Sequence, residues 1–379
     1  MKAISGVYTS AQIFTTNNPD TALEPAALVQ LQMLCDNPTL KDCKLRIMPD
    51  VHPGKIGTIG LTATIGNAIM PNLTGIDIGC GMTLAQITKV KPEYQKIDRL
   101  IRERIPSGMC IRTDFHPLSI DFAIEELYCH KNINKTKAYL SLGTLGGGNH
   151  FIEIDKDIDG NFYLIIHSGS RHLGKEVTEY YLAQGQNRLK AQNLHIPYEL
   201  TYLEDELMEQ YLHDVQFVQE YAALNRRIII EELAKAMKWK VIDSYSSIHN
   251  YIAKENDTYL LRKGAISAQK GEKIIIPINM RDGVLLGTGL GNEEWNYSAP
   301  HGAGRILKRT EVRNHYTLAQ YKKSMKGIYS SCITKDTLDE SPFAYRSLEE
   351  ITDVISETVS IENIIKPVYN FKAGSKERK

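Results

Sequence analysis

Asp77 and Cys80 stand three residues apart in Gly75-Ile-Asp-Ile-Gly-Cys-Gly-Met82. The glycines at 75, 79 and 81 let the backbone bend tightly and expose both side chains. A carboxylate and a thiolate at that spacing can face one cation. A cysteine alone in such a turn is ordinarily a small buried hydrophobe, but three histidines change the reading. His150 follows three glycines and Asn149, His167 closes an apolar run, and His249 precedes Asn250. Each alone fits a hydrogen-bonded structural role. With Asp77 and Cys80 they make a mixed oxygen, sulfur and nitrogen donor set. Carboxylate oxygen suits Mn2+, while thiolate and imidazole also suit Zn2+ and Co2+. Composition therefore supports one or two divalent transition ions without choosing among them. The donors lie far apart in the chain, unlike the close ligand pairs of a zinc finger.

Glycine runs raise a second chemistry. Backbone N–H groups in Gly146-Gly-Gly148 and in Gly302-Ala-Gly304 can approach an anion closely. Lys55, Arg171, Lys263 and Arg305 stand in or beside such turns and are candidate phosphate contacts. No GxxxxGK[ST] is present, so this is not a P-loop protein, and Gly287-Thr-Gly-Leu-Gly291 carries no weight as a nucleotide signal. His301 lies in Ser298-Ala-Pro-His-Gly-Ala-Gly-Arg305. An imidazole beside a phosphate site can attack phosphorus and form a phosphoramidate. From the residues alone, metal ligand, nucleophile and acid/base stay equally open for His301.

Rigid elements must present these side chains. Short strand-like runs are expected at Lys44–Met48, Thr58–Ile65, Phe162–Ile166, Lys273–Ile276 and Val284–Leu286. Helical spacing is expected over Ala22 to Leu34 and, most strongly, over Phe217 to Met237, which contains the basic pair Arg226-Arg227. Several strands run directly into glycine turns that hold a His, Asp or Cys. The pattern implies a mixed α/β fold with a site along strand ends. No repeat or low-complexity linker divides the 379 residues, so a single catalytic domain over 1–379 is expected. Lys+Arg and Asp+Glu both number 45, which leaves room for a local basic groove inside a neutral total. The six cysteines form no CxxC pair and read as reduced thiols of a cytoplasmic protein. The start of the chain is a poor signal peptide, and no run reaches the roughly 20 apolar residues of a membrane span.

Taken together, Met48-Pro-Asp-Val-His-Pro-Gly-Lys55, Gly75–Met82, Gly143-Thr-Leu-Gly-Gly-Gly-Asn-His-Phe-Ile-Glu153, His167-Ser-Gly-Ser-Arg171 and Ser298–Arg305 resemble, in order, the motifs of the RtcB family of RNA ligases. The resemblance runs from Asp50 to about Lys372. It implies that family's distinctive α/β fold with a central metal site, and a reaction joining an RNA 3′-phosphate or 2′,3′-cyclic phosphate to a 5′-hydroxyl with GTP and Mn2+, in RNA repair or splicing. It implies Asp77, Cys80, His150, His167 and His249 as ligands of two manganese ions, with Asp77 also acting on a proton. It makes His301 the guanylated nucleophile. Asn149, Glu153, Gly302 and Ala303 would contact the nucleotide, Tyr345 and Lys372 would close over the guanine, and Arg171 would hold an RNA phosphate. An accessory protein could set the choice of RNA.

Three departures stand against the family pattern. Ile278-Asn-Met-Arg-Asp-Gly283 replaces a Gly-Ser-Met-Gly-like turn, His172 replaces a glycine, and the chain continues past Lys372-Ala-Gly to Lys379. They suggest a divergent bacterial-type branch. Two other readings keep part of the evidence: a metal-dependent cyclic phosphoesterase or nucleotidylyltransferase, and a non-catalytic RNA-binding protein.

Overall fold

A computed structural model describes residues 2–15, 23–88, 93–120, 122–255 and 258–373. Its architecture is mixed α/β. One sheet has seven strands in the order Val241–Ile248, Gly81–Ile87, Phe162–Ser168, Phe151–Lys156, Val359–Lys372, Gly283–Gly289, Lys273–Asn279, with antiparallel neighbours throughout. A six-stranded sheet runs Lys2–Ser5, Ser10–Ile13, Leu45–Pro53, Thr58–Ile65, Thr258–Lys263, Asn250–Glu255. The central strands read as near-continuous apolar runs because they are buried on both faces: Leu164, Ile165 and Ile166 are all fully covered.

The expected strands are present; Thr58–Ile65 keeps its bounds and the other four extend past their apolar runs. Lys44–Met48 becomes Leu45–Pro53, and its pairing with Thr58–Ile65 slips between Ile47 and His52. Pro49, with no N–H to give, falls in that irregular stretch. The slip re-aims Asp50 and His52. Phe162–Ile166 continues through His167 to Ser168. The helix expected at Ala22 spans Pro25–Cys35, with Ala22 outside the described residues. The tail beyond 373 also lies outside them.

The strongest helical pattern belongs to a helix of 33 residues, Asp205–Met237. Asp205 and Glu206 sit in its first turn and Lys235 in its last, each complementing the helix dipole. Tyr211, Val215, Val218, Ala222, Asn225, Ile229 and Leu233 recur every three or four residues along its buried stripe. All six cysteines are unpaired. Among the described residues no helix is long and apolar enough to cross a membrane.

Candidate metal centre and nucleotide cavity

Four neighbouring strands deliver the metal-type ligands to one end of the seven-stranded sheet. Gly81–Ile87 and Phe151–Lys156 begin there, just after Cys80 and His150; Phe162–Ser168 and Val241–Ile248 end there, at His167 and just before His249. The register pairs Met82 with His167 and Phe151 with His167, so the three ligands are brought level by strand pairing. His249 is fixed by its own N–H, which donates to Cys80 O at 2.8 Å.

Two adjacent residues of the long helix lock the turns. Asn225 Oδ1 accepts from Gly143 N (2.8 Å) and Thr144 N (3.1 Å), while its Nδ2 donates to Thr144 O, Ser168 Oγ and Gly169 O. Arg226, fully buried, donates to Gly79 O at 2.8 Å, Ser168 O at 2.9 Å and Thr83 Oγ1 at 3.0 Å. One side-chain pair thus braces the turns carrying Cys80, His150 and His167.

The ligand atoms converge. Those of Cys80, His150 and His167 lie within 4.8 Å of one another. Cys80 Sγ is 3.5 Å from both His150 Nε2 and His167 Nε2. Asp77 Oδ2 lies 3.1 Å from His150 Nε2, and His249 Nε2 lies 3.4 Å from His167 Nε2, extending the group on either side. The histidine tautomers can be argued. His150 Nδ1 faces Leu145 O at 2.9 Å, and His167 Nδ1 faces Asn149 O at 3.0 Å. A carbonyl can only accept, so both Nδ1 atoms carry hydrogen, and Nε2 of each ring is the atom turned inward to the cluster. Burial, together with the neighbouring imidazoles, pushes His167 and His249 well below the usual histidine range, so both are neutral at pH 7. Lone pairs facing each other, a carboxylate and a sulfur repel unless a cation lies among them. The residues therefore fit a divalent ion.

Electrostatics agree with that fit. Burial, then Asp77, pushes the Cys80 thiol well above its ordinary range. For Asp77, whose side chain is 30% exposed, burial opposes ionisation, but His150, Cys80 and Arg171 outweigh it and hold the carboxyl at about 2. Asp77 Oδ1 also accepts from Ser170 N at 2.9 Å.

His301 joins this centre through backbone. Strand Ser298–Pro300 pairs with Ala265–Ser267, Pro300 opposite Ala265, and the N–H groups of Gly264 and Ala265 donate to His249 O. The rings of His249 and His301 are consequently 4.9 Å apart. On its other side His301 Nδ1 approaches Asp50 Oδ2 at 2.6 Å. Gly304 adopts φ +72°, and a Cβ there would meet Asp50 Cα at 2.8 Å, so glycine allows this close approach.

A cavity opens beyond His301. One wall is the face of the paired strands that carries Phe151, Glu153, Asn370 and Lys372; others are Pro277–Met280, the His301–Arg305 turn, and Arg309, Glu340 and Tyr345. His52, Asn149, His167 and His249 line its metal end. Tyr345 donates to Glu340 Oε2 at 2.6 Å, and Lys372 and Arg309 both donate to Glu340. Burial opposes ionisation of Glu340, but Lys372 and Arg309 outweigh it and hold it at about 2. Burial raises both Glu153 and Asp155; Asp155, also facing Glu153, is raised further and keeps the proton, leaving Glu153 the acceptor.

The sequence-predicted residues are thus grouped as follows in space. Asp77, Cys80, His150, His167 and His249 converge, and Asn149, Glu153, Gly302, Ala303, Tyr345 and Lys372 line the cavity with His301. Arg171 is half-buried and donates to Thr144 Oγ1 and Gly108 O, each at 3.0 Å. Lys263 does not serve as a phosphate contact: its ammonium donates to Ile56 O and Asn72 O and braces two loops. Lys55 is exposed. The 279–282 turn closes on itself, with Asn279 Oδ1 accepting from Arg281 N and Asp282 N and the Arg281 guanidinium paired to Asp282. His172 pairs with Glu176 one helical turn on, at 2.7 Å. Asp50, Arg309, Glu340 and Asn370 were missed by sequence reasoning. Only Asp50 lay in a motif already singled out, Met48–Lys55.

The sequence profile of the family described as tRNA-splicing ligase RtcB matches residues 30–127 and 124–373. The chain belongs to the RtcB family. It is 30% identical over 364 residues to the RNA-splicing ligase RtcB of Escherichia coli K12, covering 86% of this chain and 88% of that one. RNA-splicing ligase RtcB2 of another Escherichia coli strain is 27% identical over 400 residues, covering 97% and 98%. The tRNA-splicing ligase RtcB of Methanococcus maripaludis is 26% identical over 401 residues, covering 82% and 84%. RtcB relatives thus span nearly the whole chain, including both the metal centre and the cavity.

Proposed function

We propose that this chain is an RNA ligase that uses GTP and Mn2+ to join 3′-phosphate or 2′,3′-cyclic phosphate ends to 5′-hydroxyl ends through a guanylated His301. The observation that carries this reading is the position of His301, with Asp50 at Nδ1, the histidine cluster at 4.9 Å and the cavity in front. Asp77, Cys80, His150, His167 and His249 would hold the metal, which when bound neutralises phosphate charge and orients the reacting groups.

The chain's own residues account for the rest. With Nδ1 turned to Asp50, the free nitrogen of His301 is Nε2. Its lone pair attacks the α-phosphorus of GTP; the P–N bond forms and pyrophosphate departs. Arg305, Arg309 and Lys372 supply positive charge along the cavity. Glu153, Asn149, Tyr345 and Lys372 hold the base and ribose, and the Gly302-Ala303 backbone lies along the phosphate. Water opens a cyclic end by breaking the P–O2′ bond. The resulting 3′-phosphate oxygen attacks the bound GMP, breaks the P–N bond and gives RNA-ppG. The 5′-hydroxyl then attacks the RNA phosphorus and GMP leaves. Arg171 would hold the incoming RNA phosphate near Asp77. In a cell the substrate would be cleaved tRNA or another broken RNA in the cytoplasm, with the full chain 1–379 as one catalytic unit.

The test is incubation with α-labelled GTP and Mn2+, followed by RNA joining. An acid-labile, alkali-stable protein–GMP adduct that His301→Ala removes is expected. Cyclic-phosphate hydrolysis without an adduct would favour the phosphoesterase reading, and RNA binding without either would favour the binding module.

A further inference from the structure

Asn370 stands in the cavity wall with an unused, buried acceptor. It is 2% exposed, and its Oδ1 has no hydrogen-bond partner. Its Nδ2 donates to Glu153 Oε2 at 2.5 Å across the strand pair, where Asn370 stands directly opposite Glu153. The neighbours Tyr369 and Phe371 turn the other way, into the apolar core with Ile152 and Ile154. Asn370 and Lys372 therefore share the cavity face with Glu153 and Phe151.

The amide's orientation follows from chemistry. A carboxylate accepts, so Nδ2 faces Glu153 and Oδ1 is the free end. A buried acceptor without a donor is costly, and in a ligand cavity the missing donor is best supplied by the ligand. Lys372, Glu153 and Asn370 together then offer one donor and two acceptors. The Watson–Crick edge of guanine is complementary: an acceptor at O6 and donors at N1 and the 2-amino group. Adenine offers a donor at C6, an acceptor at N1 and only C–H at C2.

We propose that Asn370 is a specificity-determining residue whose Oδ1 accepts a hydrogen bond from the guanine 2-amino group, with its Nδ2 anchored on Glu153. This rests on the nucleotide reading above. Glu153 keeps Oε1 for N1–H, and Lys372 faces O6.

Inosine differs from guanosine only by lacking the 2-amino group, which makes the test direct. Binding of GTP, ITP and ATP to the full chain with Mn2+ would be measured by calorimetry, for the wild type and for Asn370→Ala. The wild type is expected to favour GTP over ITP by about ten- to a hundredfold, the range for leaving a buried polar group unpaired. In Asn370→Ala that ratio should fall to about threefold or less. The wild-type comparison stands even if the variant folds poorly. Equal binding of GTP and ITP by the wild type overturns the proposal while leaving the guanylation reading intact. So does an Asn370→Ala variant that loses GTP and ITP by the same factor, since Asn370 would then only prop Glu153. Binding of none of the three, or a preference for ATP, overturns both.

Discussion

Asp50 Oδ2 and His301 Nδ1 are 2.6 Å apart, yet neither atom has an aligned hydrogen bond. The carboxylate is fully buried and sits off the ring N–H direction, close enough for its charge to act on the imidazole. A buried carboxylate at this distance stabilises an imidazole that bonds to phosphorus through its other nitrogen. Asp50→Asn should slow adduct formation by about 10²- to 10⁴-fold while changing GTP affinity less than threefold. Single-turnover labelling with α-labelled GTP measures both; a variant that guanylates at the wild-type rate would remove Asp50 from the chemistry.

Metal uptake should release a proton. Burial and Asp77 keep the Cys80 thiol protonated at pH 7 without a cation, and ligation needs the thiolate. Mn2+ or Zn2+ added to metal-free protein in weak buffer should liberate about one proton per Cys80-bound ion. Affinity should rise with pH, and Cys80→Ala should lose both the release and its pH dependence. Proton release unchanged in Cys80→Ala would place the titrating group elsewhere.

Gly169→Ala tests the packing behind the ligands. A Cβ at 169 would stand 2.1 Å from Asp77 Oδ1, so Asp77 must move. Metal affinity is expected to drop at least tenfold, about the loss seen when a ligand's support is disturbed, with the far-UV dichroism preserved. Wild-type affinity in a folded Gly169→Ala chain would show that Asp77 is not held there for metal.

Glu340 gives a pH-dependent stability with a definite sign. Its carboxyl is held at about 2 from an ordinary 4.5 by Lys372 and Arg309. A depressed carboxylate stabilises the fold fully above the unfolded value, and that contribution is lost as pH falls from 4.5 through about 2. The shift corresponds to roughly 3 kcal/mol at pH 7. Urea unfolding of metal-free wild type and Glu340→Gln should therefore show a gap of that order at pH 7 that shrinks at pH 3. A gap independent of pH would mean that the variant fails for reasons of packing.

Much of the site is legible in the sequence because its candidate ligands sit beside glycines. Tight turns at Gly79, Gly146–Gly148 and Gly302–Gly304 leave a visible signature, and the cysteine, aspartate and histidines beside them are together a metal-type donor set. The apolar runs located the strands, though not all of their ends, since Asp50 and His167 continue strands with polar residues turned toward the site and Ser168 with one turned to Asn225. Asn225 and Arg226 were hidden for a different reason. In a long amphipathic helix an Asn-Arg pair looks like solvated surface, and only packing shows both side chains fully buried against turns 56 to 147 residues away. Asn370 and Glu340 were invisible because their partners, Glu153, Lys372 and Arg309, come from other parts of the chain.

Strand Val359–Lys372 is the last of its sheet in chain order, yet it lies inside the sheet, between Phe151–Lys156 and Gly283–Gly289. During synthesis Phe151–Lys156 and Gly283–Gly289 wait for the neighbour they share until this strand leaves the ribosome, although the outer strands of the two groups already touch where Ile275 N donates to Ser247 Oγ. Cys80, His150, His167 and His249 are all translated earlier, so the cluster can form while the wall carrying Asn370 and Lys372 is still missing. Stalled chains ending before residue 359 should then take up metal while lacking the cavity wall that carries Asn370 and Lys372, which would order completion of the metal cluster before completion of the cavity.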